Sequence, residues 1–380
     1  MAGHIAALIG VVVVLRVTTL YASTAAVTAG YYTAYLTEAE DEIPGRWTGG
    51  QAALHGLAGD VNGEQLELIL SGRHPMTGAA LGHPLADRTT ADGRVVRAVS
   101  GFDATVSAPK SLSAWWAVTG DNRLLEAHDT AVQAMIGTLE KYGATTRIRR
   151  DGGRLHPDTN GLTIAAFRQT TSRLDDPQIH THVVISAKVQ VDSGGWYALD
   201  ARLLKKHQRT LGGIYQSVLR AELSQQFGVS FGEIVTGQAE ILGVPETLLD
   251  AYSKRGVQVA DALADKLSVF TTREGREPSR FERAAMEREA AVDTRGRKTG
   301  MTVTDLRPRW QTEAKELGIT PADLARDIRV AGRTAEPVQH TTAADVLAVL
   351  AEQSSVWHRM DVLRTLTDTL RPHPGLTGQR

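Results

Sequence analysis

Two strand-like runs constrain this chain more than any other feature. GLTIAAFRQ (Gly161–Gln169) and HTHVVISAKVQV (His180–Val191) are apolar, rich in β-branched residues and joined by a polar loop. The second run turns at Asp192-Ser193-Gly194-Gly195 into WYAL, a hairpin signal. A third run, GFDATVSA (Gly101–Ala108), alternates apolar and polar residues and ends at Pro109, which suits a strand feeding a helix. Strands of this kind need a second layer to bury one face. Asp121–Tyr142 supplies one, with Leu124, Leu125, Val132, Met135, Ile136 and Leu139 at helical spacing, and Leu203–Phe227 supplies another. The expected class is α/β in two layers, with a mostly antiparallel sheet.

The 380 residues suit two domains better than one. A hydrophobic share of 42% and a charged share of 22% fit a globular protein rather than a disordered or fibrous one. No cysteine is present, so disulfides, thiolate metal sites and a cysteine nucleophile are excluded. The net charge of −1 means that any nucleic-acid partner must be held by local patches. Beyond about residue 260 charges of both signs crowd the sequence, the mark of solvated helices and linkers, and helical patterns return around Trp310–Leu317 and Ala343–Leu370. There is no G-x-x-x-x-G-K-[ST] phosphate loop.

The amino-terminal run Ile5–Leu15 is apolar for eleven residues, too short for the ~20 that span a membrane. No Lys or Arg precedes it, which argues against a signal peptide. It reads as a buried strand, or as sequence upstream of a true start near Val14.

Four groups could carry chemistry. His180 and His182 are two apart on a strand, so both imidazoles face one side and form a chelating pair; a structural H-x-H fits the same spacing. Gln169 ends the preceding strand eleven residues earlier and can offer its amide oxygen there if the strands pair. In YYTAY, Tyr31 and Tyr35 share a helix face with Tyr32 to one side; the group suits packing or a phenol nucleophile. Asp103, mid-strand among apolar neighbours, is either a surface carboxylate or one that orients a metal-bound histidine. Basic clusters lie at Arg147, Arg149, Arg150 and Arg154, and at Arg202, Lys205, Lys206, Arg209 and Arg220; such runs can neutralise phosphates or simply be solvated faces.

In this order along the chain the sequence resembles a MobF-type conjugative relaxase of the histidine–hydrophobe–histidine (HUH) endonuclease superfamily. The matching blocks are the tyrosine pair Tyr31-Tyr32, RWTG (Arg46–Gly49), GLAGDV (Gly56–Val61), FDATVSAPKSLS (Phe102–Ser113), AHDTAV (Ala127–Val132), FRQTTSRLDDPQIHTHVV (Phe167–Val184) and WQTEAKELGI (Trp310–Ile319). They cover about residues 15 to 320.

The resemblance implies site- and strand-specific nicking at a transfer origin and strand transfer. A tyrosine attacks a phosphodiester polarised by a divalent metal, leaving a 5′-phosphotyrosyl link and a free 3′-hydroxyl. It implies His180 and His182 as metal ligands with Gln169 in the third position, and Mg²⁺ or Mn²⁺ as the ion. Tyr31 is then the leading nucleophile, Tyr32 and Tyr35 are candidates for a second transesterification, and Asp103 and Arg173 support the site. Lys110, Arg150, Lys205, Lys206, Arg209, Arg297 and Lys298 are the expected DNA contacts. The implied partners are single-stranded and hairpin origin DNA, relaxosome accessory proteins and a type IV secretion coupling protein, with no lipid. The implied location is the bacterial cytoplasm, with translocation alongside DNA.

The implied architecture is a palm-like sheet with Asp103, Gln169, His180 and His182 on one face. Helices 121–142 and 203–227 cover the other face, and the tyrosine helix lies across the metal face. Residues 15–235 form the catalytic core, 236–320 a mobile finger-like lobe that closes over DNA, and 321–380 a helical stub; 1–14 is read as a non-native extension. Three features depart from the family pattern. Gln169 stands where a third histidine is usual, and Glu38 and Ala39 replace a second tyrosine pair. The 380 residues carry no phosphate loop of the helicase region found in many relatives, as expected of a relaxase-only protein, a truncated product or a fragment. These departures also suit an origin-binding remnant with little turnover.

Overall fold

The computed structural model describes residues 14–37, 44–150, 153–235, 237–296, 299–335 and 342–369, apart from the side chains of residues 34–37 and 150. Most of the apolar amino-terminal run, Glu38, Ala39, Arg297, Lys298 and the side chains of Tyr35 and Arg150 lie outside those residues.

Five strands build the central sheet: β1 (Leu15–Tyr21), β2 (Arg46–Thr48), β3 (Val99–Ser107), β4 (Ile164–Thr171) and β5 (Pro177–Ser186). Their order is β1-β3-β5-β4-β2 and every neighbouring pair is antiparallel, as the sequence predicts. The strand expected over His180–Val191 breaks at Ala187. Lys188–Gln190 then pairs with Trp196–Ala198 in the expected hairpin.

Period-2 alternation sorts the side chains between two layers. Phe102, Ala104, Val106, Ile179, Val183 and Ile185 enter the main apolar core. Helices α1 (Ala25–Thr37), α2 (Lys110–Thr119), α3 (Arg123–Gly143) and α4 (Gln208–Phe227) follow in chain order, and α2, α3 and α4 supply the rest of that core. Met135, Ile136 and Leu139 of α3 and Leu211, Tyr215 and Leu219 of α4 are almost wholly buried within it. The helix expected over 203–227 is interrupted at His207, whose φ of −105° and ψ of 19° end Arg202–Lys206 and begin α4.

On the opposite face, Phe167 and Val184 join a second cluster with Ala25, Ala29 and Tyr32 of α1. Those three positions repeat at i, i+4 and i+7, a stripe that lays α1 across the sheet. This is the placement expected of the tyrosine helix.

Farther along the chain come α5 (Lys254–Glu274), α6 (Arg280–Asp293), α7 (Val303–Glu316), α8 (Pro321–Thr334) and α9 (Arg359–Thr369). Helices α5 and α6 pack on each other. Leu306 and Trp310 of α7 and Leu324 and Ile328 of α8 belong to the main core, while α9 packs on α4. A capping box at Ser279–Glu282 starts α6 and another at Thr302–Asp305 starts α7. No helix among the described residues is long and apolar enough to cross a membrane.

Candidate active site

Strand register brings the chemical groups together. Asp103 lies opposite Val184, Thr105 opposite His182 and Ser107 opposite His180. From the other side Phe167 pairs with His182 and Gln169 with His180. Because side chains alternate, Asp103, Thr105, Phe167, Gln169, His180 and His182 share the face that α1 crosses.

Hydrogen bonds fix the imidazoles. His182 Nδ1 is 2.9 Å from Asp103 Oδ2 and 3.0 Å from Thr105 Oγ1. His180 Nδ1 is 2.9 Å from the carbonyl oxygen of Gln178. A carbonyl or a carboxylate only accepts, so Nδ1 carries a proton in each ring. The ring centroids are 5.3 Å apart. This is the second-sphere pattern that prepares histidines to ligate a metal, with Asp103 in the carboxylate position. Among the described residues no three His, Cys, Asp or Glu cluster to hold an ion. Gln169, whose amide oxygen is a possible metal donor, is paired in register with His180. Two imidazoles and an amide oxygen fit a borderline or hard divalent ion.

The two tyrosines differ. Tyr32 is buried, stacks on Phe167 at 5.0 Å, meets His182 edge-on and donates to Asp103 Oδ2 at 2.7 Å. Burial, and then the Asp103 charge, push its pKa far above the ordinary phenol value, so it stays protonated. Tyr31 packs edge-on against Tyr32, is only half-buried, and its oxygen accepts from Arg173 Nη2 at 3.2 Å. The same guanidinium donates to the Gly296 carbonyl. The site thus offers one accessible phenol beside a cation and one enclosed phenol tied to a carboxylate.

Residues 16–317 match the family model described as TrwC relaxase. The chain belongs to the TrwC relaxase family. It is 29% identical over 351 residues to the multifunctional conjugation protein TraI of Escherichia coli, and 28% identical to that of strain K12. Each alignment covers 87% of this chain and 18% of the relative, so the chain spans about a fifth of those proteins. Among solved structures it resembles conjugative relaxase TrwC in complex with OriT DNA, copper-bound, with a TM-score of 0.67 at 29% identity. It also resembles TrwC complexed with a 27-mer DNA comprising the recognition hairpin and the cleavage site, with a TM-score of 0.65 at 30% identity. Both cover 81% of this chain and 99% of the other.

Within this TrwC-family chain the basic residues named from sequence scatter. Lys110 donates its ammonium to the Pro177 carbonyl at 2.9 Å, and burial pulls its pKa down to about 8. Lys205 bonds Thr19 at 3.0 Å, beside the Phe102 ring, on the side of the sheet away from the histidines. Lys206 is exposed on the same short helix, and Arg209 pairs with Asp368 at 2.9 Å. Arg149 and Arg154 are exposed on a two-stranded ribbon, Ile148–Arg150 with Gly153–Leu155, and Arg147 is exposed just before it.

Several supporting groups escaped the sequence reading. Thr105 and Phe167 were legible as the site-facing positions of FDATVS and AAFRQ. His128 lies within AHDTAV and is wholly buried under β5. It bridges Tyr215 Oη at 2.7 Å and Thr181 Oγ1 at 2.8 Å. Burial drives its pKa down to about 3, so it is a neutral brace beneath the strand that carries His180 and His182. Arg255, whose backbone donates to Asp176 at 2.9 Å, gave no sequence signal, because it sits in a charge-dense helix.

Proposed function

We propose that this chain nicks one strand of DNA at a conjugative transfer origin and passes that strand on. Tyr31 Oη attacks the scissile phosphorus, a tyrosyl O–P bond forms, and the P–O3′ bond breaks. The phenol proton is released and the 3′-oxygen leaves as a hydroxyl. Arg173, 3.2 Å from the phenol oxygen, stabilises its developing negative charge and that of the phosphate. Tyr32 and Thr105 hold Asp103, and Asp103 holds His182. His180, His182 and Gln169 would hold a divalent ion, Mg²⁺ or Mn²⁺. Bound there, it would polarise a non-bridging phosphate oxygen.

The observation that carries this reading is the half-buried Tyr31 phenol, placed with Arg173 over a sheet face on which Asp103 and the Gln178 carbonyl orient two neighbouring imidazoles through Nδ1. The exposed arginine ribbon supports binding of the origin hairpin, since two-stranded ribbons enter the major groove. The TrwC complexes with OriT DNA and their metal-bound forms support the same substrate and cofactor class. Relaxosome accessory proteins, a secretion coupling protein and a cytoplasmic site of action belong to this reading.

A second reading, an origin-binding remnant with little turnover, draws on the amide at Gln169. One experiment separates the two: incubation with Mg²⁺ and single-stranded transfer-origin DNA, followed by mass spectrometry for a phosphotyrosyl peptide. An adduct on the Tyr31 peptide is expected. Tight hairpin binding with no adduct under any divalent ion would leave the remnant.

A further inference from the structure

Asp175 is the one described residue other than glycine with a positive φ, at 60°. Such a conformation is uncommon for a residue with a Cβ and persists only where surroundings impose it. The surroundings here are specific. Asp175 sits in the tight connection between β4 and β5. Within it Ser172 N donates to Asp176 O at 2.8 Å, and Asp175 N donates to Ser172 O at 3.3 Å. The Ser172 hydroxyl accepts from Leu174 N and Asp176 N.

Three contacts reach this turn from residues beyond 250. Thr299 Oγ1 donates to Asp175 Oδ1 at 2.8 Å, and the Trp310 indole donates to the Asp175 carbonyl at 2.7 Å. Arg255 N donates to Asp176 Oδ2 at 2.9 Å. The residue that the turn presents is Arg173, whose guanidinium spans Tyr31 Oη and the Gly296 carbonyl. Arg255 in turn binds the Thr294 and Ala291 carbonyls, fixing the segment that contains Gly296.

We propose that Asp175 is a positioning residue for the nucleophile: clamped in a left-handed conformation by Thr299 and Trp310, it sets the turn that holds Arg173 against Tyr31. Residues beyond 250 thereby control the geometry of the phenol through this turn. This rests on Tyr31 as the nucleophile.

The test uses the full chain carrying tyrosine labelled with ¹³C at Cζ, the Tyr31 resonance being assigned with Tyr31→Phe. Asp175→Ala and Thr299→Val should move that resonance in the direction produced by Arg173→Ala. Asp175→Asn, which tolerates a positive φ and still accepts from Thr299, should leave it in place. In single-turnover reactions with Mg²⁺ and single-stranded transfer-origin DNA, Asp175→Ala should slow adduct formation about ten- to a hundredfold, the scale of an ångström-sized misplacement. DNA affinity by fluorescence anisotropy should stay within about twofold, and Asp175→Asn should restore the rate.

An unmoved Tyr31 resonance in both Asp175→Ala and Thr299→Val overturns the proposal, as does an Asp175→Asn protein as slow as Asp175→Ala. Loss of affinity in place of rate overturns it too. Should Asp175→Ala not fold, Thr299→Val, an exposed and nearly isosteric change, decides alone. A wild-type protein that forms no adduct but shows the expected resonance shifts would overturn the nicking reading and leave the positioning role standing.

Discussion

Tyr32 donates to Asp103 Oδ2, the same oxygen that receives His182 Nδ1. One carboxylate oxygen therefore joins the buried phenol to the imidazole, while the neighbouring phenol of Tyr31 faces outward beside Arg173. The consecutive tyrosines sit in different surroundings, set by which of them reaches this oxygen.

Removing each hydroxyl separates those roles. Tyr31→Phe should abolish the covalent protein–DNA adduct. Tyr32→Phe should still form it, and should lose about 1.5–3 kcal/mol of stability in urea unfolding through the missing bond to a charged group. Adduct formation by Tyr31→Phe and none by Tyr32→Phe would reverse the assignment.

Asp103→Asn should weaken Mn²⁺ binding about 10–100-fold by titration calorimetry, the usual effect of losing a carboxylate behind a ligating histidine. Equal affinity in the variant would mean that His182 does not ligate.

Gln169→His tests the third position. An imidazole there should tighten Mn²⁺ and Zn²⁺ by roughly tenfold or more, with the larger gain for Zn²⁺, which prefers nitrogen. No change in calorimetric affinity would show that this side chain does not reach the ion.

Acid should unfold the protein partly through two buried histidines. Burial lowers His128 to about 3 and His55 to about 4, against 6.5 when free. A depressed histidine pKa means that the unfolded chain binds the extra proton first. The contribution is complete above about pH 6.5 and is lost as the pH falls toward the folded values. Between pH 6.5 and 4 each should cost about 1.4 kcal/mol per pH unit. His128→Gln should be less stable at pH 7, but its urea-unfolding free energy should fall with a slope shallower by about one proton. An unchanged slope would mean that His128 is not held neutral.

The arginine ribbon predicts a salt signature. Replacing Arg149 or Arg154 by Ala should lower the slope of log K against log salt for an origin hairpin by about one each. Cleavage of a hairpin-free single strand should not change. A loss confined to cleavage would move the ribbon's role to the reacting strand.

Much of this was legible because period-2 alternation and strand pairing are short-range rules. Once His180 and His182 sit on a strand, the register with β3 and β4 brings Asp103 and Gln169 to the same face. Lys110 shows the limit. Its place in SAPKS reads as a phosphate contact, but a helix start buried against Pro177 turns its ammonium onto a backbone carbonyl. His128 was hidden for a related reason: its partners Tyr215 and Thr181 lie 87 and 53 residues away, and only packing brings them together. The left-handed turn at Asp175 left no mark, since Asp-Asp-Pro suits many loops.

The pleat of β5 has a further consequence. The spacing of the two histidine backbones is dictated by the repeat of an extended strand, about 6.8 Å for two residues, and their ring centroids stand 5.3 Å apart. Gln169, the proposed third donor, sits on a separate strand, so its identity could be exchanged without disturbing the span of the first two. Under the proposed ligand set, position 169 would then be a socket: one codon would retune which ion the protein prefers, and the scaffold that measures out the rest would be left alone.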